Sequence, residues 1–203
     1  MGTKDTPAVI DFILNNTGYS KINYIGHSEG TTQIMAGASL KPEFYKEKMN
    51  LCIFLAPPAS MSNNSVAIFN LLSLDVNRAI LTAMLDTIHL WNLLPYNFLT
   101  TGVATLACNL FDGKLCDLVM SFIADADPTI DDTDRYDVYM SNEPAGAGYR
   151  NYLHYAQGIH RNVNTFKRYD YGTKGNKEHY GQDAPPDYEL SKLDFPLAML
   201  SGS

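Results

Sequence analysis

The sequence is short of basic residues, of cysteine and of clean apolar runs, and each shortage removes a class of protein. Its 15 Lys and Arg stand against 22 Asp and Glu, a formal charge of −7, and no Lys/Arg cluster exceeds a few residues. A nucleic-acid binder needs a basic face to displace counterions from phosphate, so the balance argues against one. Three cysteines (Cys52, Cys108, Cys116) are too few for a disulfide-stapled scaffold. Cys52 sits in the apolar run Leu51-Cys52-Ile53-Phe54-Leu55 and reads as a buried free thiol. The longest stretch free of Asp, Glu, Lys and Arg runs from Ile88 to Phe111. Pro95, His89, Asn92, Asn97 and Asn109 interrupt it, so it reads as buried or lipid-facing amphipathic structure and not as a transmembrane span. No apolar leader opens the chain, which begins Met1-Gly2-Thr3-Lys4-Asp5 and leaves the compartment open. Asp125, Asp127, Asp131, Asp132 and Asp134 lack the glycine and terminal glutamate of a calcium loop and read as a solvated acidic loop. Nothing calls for a metal or another cofactor, and there are no internal repeats.

Against those absences stands a chain of 203 residues that is 45% apolar, enough to bury a hydrophobic core. Thr6-Pro7-Ala8 reads as a helix start with Thr6 as N-cap; Val9, Ile10, Ile13 and Leu14 give an apolar face, and Gly18 closes it. Lys21 to Gly26 is β-branched and aromatic at strand positions. Small residues from Gly30 to Leu40 form a second helix, and Asn50 to Ala56 reads as a second, fully buried strand. Helix, strand, tight turn, helix, strand is a βαβ pattern, which implies a parallel sheet with helices on its faces. Beyond Pro57 the pattern changes. Helical stretches at Val66–Leu74, Val76–Leu94, Leu99–Phe111 and Leu115–Ile123 alternate with Asn/Asp-rich breaks, and Tyr136 to Tyr188 has no clear period. Phe195 to Leu200 is strand-like again. The reading is therefore an α/β core at 1–58 and 190–203 interrupted by a mainly helical cap at 59–189.

Chemistry concentrates at Gly26-His27-Ser28-Glu29-Gly30, a Gly-x-Ser-x-Gly motif between a predicted strand and a predicted helix. A nucleophile forced into a strained turn needs small residues two before and two after it. Its hydroxyl then stands at the strand's carboxyl end, over the positive end of the next helix. The backbone N–H of Glu29 is placed to donate to an oxyanion.

The surroundings of the motif resemble the acid (lysosomal/gastric) lipase family, whose fold is that of the α/β-hydrolases. Asp5-Thr6-Pro7-Ala8 through Thr17-Gly18, Tyr24-Ile25-Gly26-His27-Ser28-Glu29-Gly30-Thr31-Thr32 and Leu55-Ala56-Pro57 are similar to the family's run through the nucleophile. So, in its cap, are Arg135-Tyr136-Asp137-Val138-Tyr139, Asn142-x-Pro144-Ala145-Gly146, His154-Tyr155-x-Gln157 and His179-Tyr180-x-Gln182. The resemblance implies a serine hydrolase of neutral lipid esters, lysosomal or secreted, with its cap facing a lipid interface. Cys108 and Cys116 lie near the family's cap disulfide with one residue's difference in spacing. Glu29 stands where the family more often has Gln. The resemblance also implies that the chain starts in the helix before the nucleophile strand and stops short of the triad acid, about two residues beyond Ser203. The base and the upstream part of the oxyanion hole then lie outside it, and the 203 residues alone are expected to be inactive. His27 is held beside the nucleophile and cannot turn to serve it. His89, His154, His160 and His179 read as structural or substrate-lining. The alternative is a non-catalytic, lipid- or partner-binding remnant of the fold; the cap motifs argue against a hydrolase of another substrate.

Overall fold

The computed structural model describes residues 1–61, 64, 67–110, 114, 116, 132, 135–160 and 165–202. Along the chain run α1 (Asp5–Thr17), β1 (Ile22–His27), α2 (Glu29–Leu40), α3 (Pro42–Lys48), β2 (Met49–Leu55), α4 (Ala67–Ser73) and α5 (Asp75–Thr87). Then follow β3 (Asn92–Leu93), α6 (Phe98–Leu110), α7 (Tyr136–Met140), β4 (Ala147–Gly148), α8 (Tyr149–His160), α9 (Gly172–Tyr180) and β5 (Leu197–Leu200). They divide into two compact units, Met1–Ser60 with Asn164–Ser203, and Met61–Val163.

In the first unit β1, β2 and β5 make a parallel sheet in that order. Parallel neighbours need a crossover, and α2 with α3 supplies the one between β1 and β2. The register sets His27 opposite Leu55 and Leu55 opposite Leu200, so three strand ends line up at one edge. Ile22 faces Met49 but Asn23 faces Leu51, which makes Asn50 the extra residue of a bulge. The bulge resets the alternation of β2. Met49 before it and Cys52 and Phe54 after it are all buried, although they differ in parity. Asn50 Nδ2 donates to Asn23 Oδ1 at 2.8 Å, tying the bulge to β1.

The core of this unit gathers Ile10 and Leu14 of α1, Ile34, Met35 and Ala38 of α2, Tyr45 of α3, and Met49, Cys52 and Phe54 of β2. Each large apolar side chain buried there is worth about 1.5–3 kcal/mol. Three details differ from the sequence reading. The α1 face turned inward is Pro7, Ile10 and Leu14, with Val9 and Ile13 exposed, because burial follows one i, i+3, i+7 line of the helix. Its start is capped by backbone: the Met1 carbonyl accepts from the N–H groups of Lys4, Asp5 and Thr6, and Pro7, with no N–H to place, sits in the first turn. Gly18 ends α1 at φ 74° with its N–H on the Leu14 carbonyl, as the glycine predicts. β2 is buried on one face only, with Leu51, Ile53 and Leu55 half-buried, because α1, α2 and α3 all pack on the Cys52–Phe54 side.

Residues 165–189 carry no clear period, yet they are held by specific bonds within this unit. Asn176, fully buried, donates to Asp170 Oδ1 and to the Asp183 carbonyl and accepts from the Tyr171 N–H. The Glu189 N–H donates to Ser39 Oγ of α2 at 2.7 Å.

In the second unit α4 packs against α5 and α8, and α6 against α7. The helix α8 buries Tyr149, Leu153, Ala156 and Gln157, one face at helical spacing, within a stretch that showed no obvious period. The Tyr149 hydroxyl donates to Asp86 Oδ1 of α5 at 2.5 Å. Cys108 and Cys116 are joined by a disulfide, Cα to Cα 5.3 Å. The expected helix Val76–Leu94 ends at Thr87. His89 and Leu94 adopt φ of 56° and 51°, which no right-handed helix accommodates, and Asn92–Leu93 pairs antiparallel with Ala147–Gly148. Most of the expected helix Leu115–Ile123 lies outside the described residues, as do Val66, Phe111, Asp125, Asp127, Asp131 and Asp134.

Candidate active site

The turn from β1 into α2 takes one residue, Ser28, with φ 49° and ψ −116°. That conformation is strained for any residue with a Cβ and costs of order 1–3 kcal/mol, so surrounding structure must hold it. Four bonds do so. The Ser28 N–H donates to the Leu55 carbonyl at the end of β2, at 3.0 Å. The Ser28 carbonyl accepts from Thr31 Oγ1 at 2.7 Å and from the Thr31 N–H at 3.0 Å. The Tyr24 hydroxyl donates to the Gly30 carbonyl at 3.0 Å, bridging strand and helix across the turn. The two motif glycines make room for this packing. A Cβ on Gly26 would lie 2.7 Å from Tyr24 Cε1 and 3.1 Å from Gly30 C and Thr31 N, and one on Gly30 would lie 3.2 Å from the Tyr24 hydroxyl.

Ser28 holds the N-cap position of α2, yet its side chain makes no capping bond, and the residue is exposed. Its Oγ is thus available at the carboxyl end of β1, beside the positive end of a helix. The Glu29 N–H belongs to the first turn of α2, at the positive end of that helix. A serine hydroxyl beside backbone N–H groups at one helix start is the combination that acyl attack and oxyanion stabilisation require.

No rival nucleophile competes inside this unit from Cys52. Its thiol is buried and burial pushes it up to about 12, so it stays protonated and out of reach. Tyr24 is also pushed up, by burial first and by the neighbouring Cys52 second, so its hydroxyl remains a donor. His27 is exposed at the end of β1, opposite Leu55. His89 stands edge-on to Trp91, and His179 stacks on Tyr171 at 4.0 Å within the first unit. His154 lies on α8, and the side chain of His160 lies outside the described residues. Among the described residues no group of three His, Cys, Asp or Glu converges to hold a metal, and no helix is long and apolar enough to cross a membrane. Sequence reasoning singled out Ser28 and the glycines but not Tyr24, Thr31 or the Leu55 carbonyl, which hold that turn. Tyr24 was visible in principle, since it lies two residues before Gly26 and therefore on the same face of β1.

No family model matches the chain. Curated proteins do. The chain is 32% identical over 207 residues to lipase member K of Mus musculus, with 100% of the chain and 49% of that protein covered. It is 31% identical over 204 residues to gastric triacylglycerol lipase of Homo sapiens, again covering 100% of the chain and 49% of the relative. With lipase member N of Homo sapiens the identity is 34% over 205 residues, at the same coverage. The chain spans about half the length of the curated relatives it matches. Over that half the chain is similar to these lipases throughout, with 31–34% of its residues identical to theirs.

Proposed function

We propose that Ser28 is the nucleophile of a carboxylic ester hydrolase, and that the whole protein cleaves neutral lipid esters, triacylglycerol or cholesteryl ester, through an acyl-enzyme on Ser28. The observation that carries this reading is the backbone of Ser28: a non-glycine residue at φ 49°, between a parallel strand and a helix, fixed by bonds on both sides. Strain of that kind persists where it serves a site. The Glu29 N–H is the oxyanion donor on this side, and Gly26, His27 and Gly30 complete the elbow. The cap is the part of 59–189 that lies in the Met61–Val163 unit, and its exposed apolar helices face the lipid interface. Gastric triacylglycerol lipase, similar over the whole chain, supports the substrate class by its name. A lysosomal or secreted location fits the same kinship.

A fluorophosphonate probe tests the chemistry. The protein in its full natural length should be labelled at Ser28 and nowhere else, and should hydrolyse a long-chain acyl ester in preference to a peptide. A protein that neither labels nor turns over is a non-catalytic, lipid- or partner-binding member of the fold.

A further inference from the structure

We propose that Tyr24 is the positioning residue of the elbow: its ring and hydroxyl fix the first turn of α2, and with it the Glu29 N–H, relative to Ser28. The proposal rests on the reading of Ser28 as nucleophile and concerns how that serine and its oxyanion donor are kept in register.

The argument is geometric. Tyr24, Gly26 and the start of α2 share one face of β1, because side chains two apart along a strand point the same way. The ring of Tyr24 occupies the space that a side chain at Gly26 would claim, 2.7 Å from where that Cβ would stand. Its hydroxyl reaches the position a side chain at Gly30 would press on, at 3.2 Å, and there donates to the Gly30 carbonyl at 3.0 Å. One side chain thus fills the gap left by both motif glycines. The other ties act elsewhere: the Leu55 carbonyl holds the Ser28 N–H, and Thr31 holds the Ser28 carbonyl. Tyr24 alone among these bonds joins β1 to α2 from the core side, and the Gly30 it grips is the residue next to Glu29. Without the hydroxyl the packing and the Thr31 bonds remain, but the first turn of α2 loses its tie to β1. An oxyanion donor tolerates little displacement before its hydrogen bond weakens.

Tyr24→Phe keeps the ring and removes the bond. In the full-length protein it should lower kcat for a long-chain ester roughly five- to tenfold, the scale of one hydrogen bond, with KM unchanged and the melting temperature nearly unchanged. The rate of fluorophosphonate labelling at Ser28 should fall by the same factor. Gly30→Ala provides a second measurement. Its new methyl meets the hydroxyl in the wild type but not in Tyr24→Phe, so it should cost labelling rate in the first background and little more in the second. An unchanged kcat and labelling rate in Tyr24→Phe overturns the proposal, as does a loss confined to KM or one that merely follows the melting temperature. A wild-type protein that does not label at all overturns the Ser28 reading itself, and this proposal with it. The two failures are therefore told apart by the wild-type control.

Discussion

The helices α2 and α5 are nearly equal in length and opposite in what they do with apolar residues. α2 is built from small residues, and it buries Thr31, Ile34, Met35, Gly37 and Ala38. α5 carries a more obvious apolar stripe, Val76, Ile80 and Met84 at four-residue spacing, and leaves these 68%, 62% and 53% exposed, with Leu85 its buried residue. The helix α6 repeats the pattern with Leu99, Val103 and Leu106 exposed. Periodicity therefore locates a stripe but not what covers it. The small residues of α2 let its neighbours approach, as at Gly37, where a Cβ would stand 2.3 Å from the Tyr45 hydroxyl of α3 and 2.4 Å from the Gly2 carbonyl oxygen. A helix that close to its neighbours keeps the Ser28 turn in place. A helix that turns large apolar side chains to solvent suits a surface that meets lipid.

The contrast can be broken at four points. Ser28→Ala, at the start of α2, should abolish fluorophosphonate labelling and reduce ester turnover by several orders of magnitude, read with a long-chain ester substrate. Residual turnover near that of the unmodified protein would place the nucleophile elsewhere. Ile34→Ala should cost about 2–5 kcal/mol in urea unfolding, whereas Ile80→Ala should change stability by less than about 0.5 kcal/mol. Equal costs would mean that the α5 stripe is covered after all. Paired Ile80→Glu and Met84→Glu should weaken binding to a triacylglycerol emulsion roughly tenfold while leaving the melting temperature in place. Unaltered flotation with the emulsion would remove α5 from the lipid surface.

The smallest effect concerns pH. Cys52 titrates from a usual 9.0 to about 12 in the fold, through burial. A thiol whose pKa is raised on folding contributes its full stabilisation below pH 9 and loses it as pH climbs towards 12. Stability measured by urea unfolding should therefore decline over that range, and Cys52→Ala should flatten the decline. A slope identical in the two proteins would trace the alkaline loss to the buried tyrosines, Tyr45 and Tyr24 among them.

The strand–turn–helix around Ser28 was legible because each part carries its own local signal: Ile22, Tyr24 and Ile25 for the strand, two glycines for the turn, small residues for the helix. Boundaries shifted by a residue, with β1 at Ile22–His27 and β2 at Met49–Leu55. What escaped was decided by distant partners. Whether Ile10 or Val9 faces inward depends on where α1 lies against α2, and a sequence pattern with apolar residues on both lines cannot choose. The helix α8 hid behind its tyrosines and asparagines, since Tyr149 and Gln157 are polar by type and buried by their partners. The bonds that fix Ser28 were illegible for the same reason. Leu55 contributes its carbonyl, and no side-chain motif announces a backbone acceptor.

The bulge at Asn50 bears on how this site tolerates change in length. The two parallel strands must deliver His27 and Leu55 side by side, or the Leu55 carbonyl misses the Ser28 N–H. Asn50 absorbs one surplus residue near the start of β2, at the opposite end of the strand from the turn. Deleting Asn50 should heal the bulge and keep Leu55 beside His27, whereas deleting a residue after it should draw β2 back by a position, present the carbonyl of a different residue to Ser28, and exchange the buried and half-buried faces of everything downstream. Substitutions along β2 will then be graded by size and polarity, but insertions and deletions will be all-or-none. A library of single-residue deletions across 51–55 should lose probe labelling as a block, with deletion of Asn50 alone tolerated.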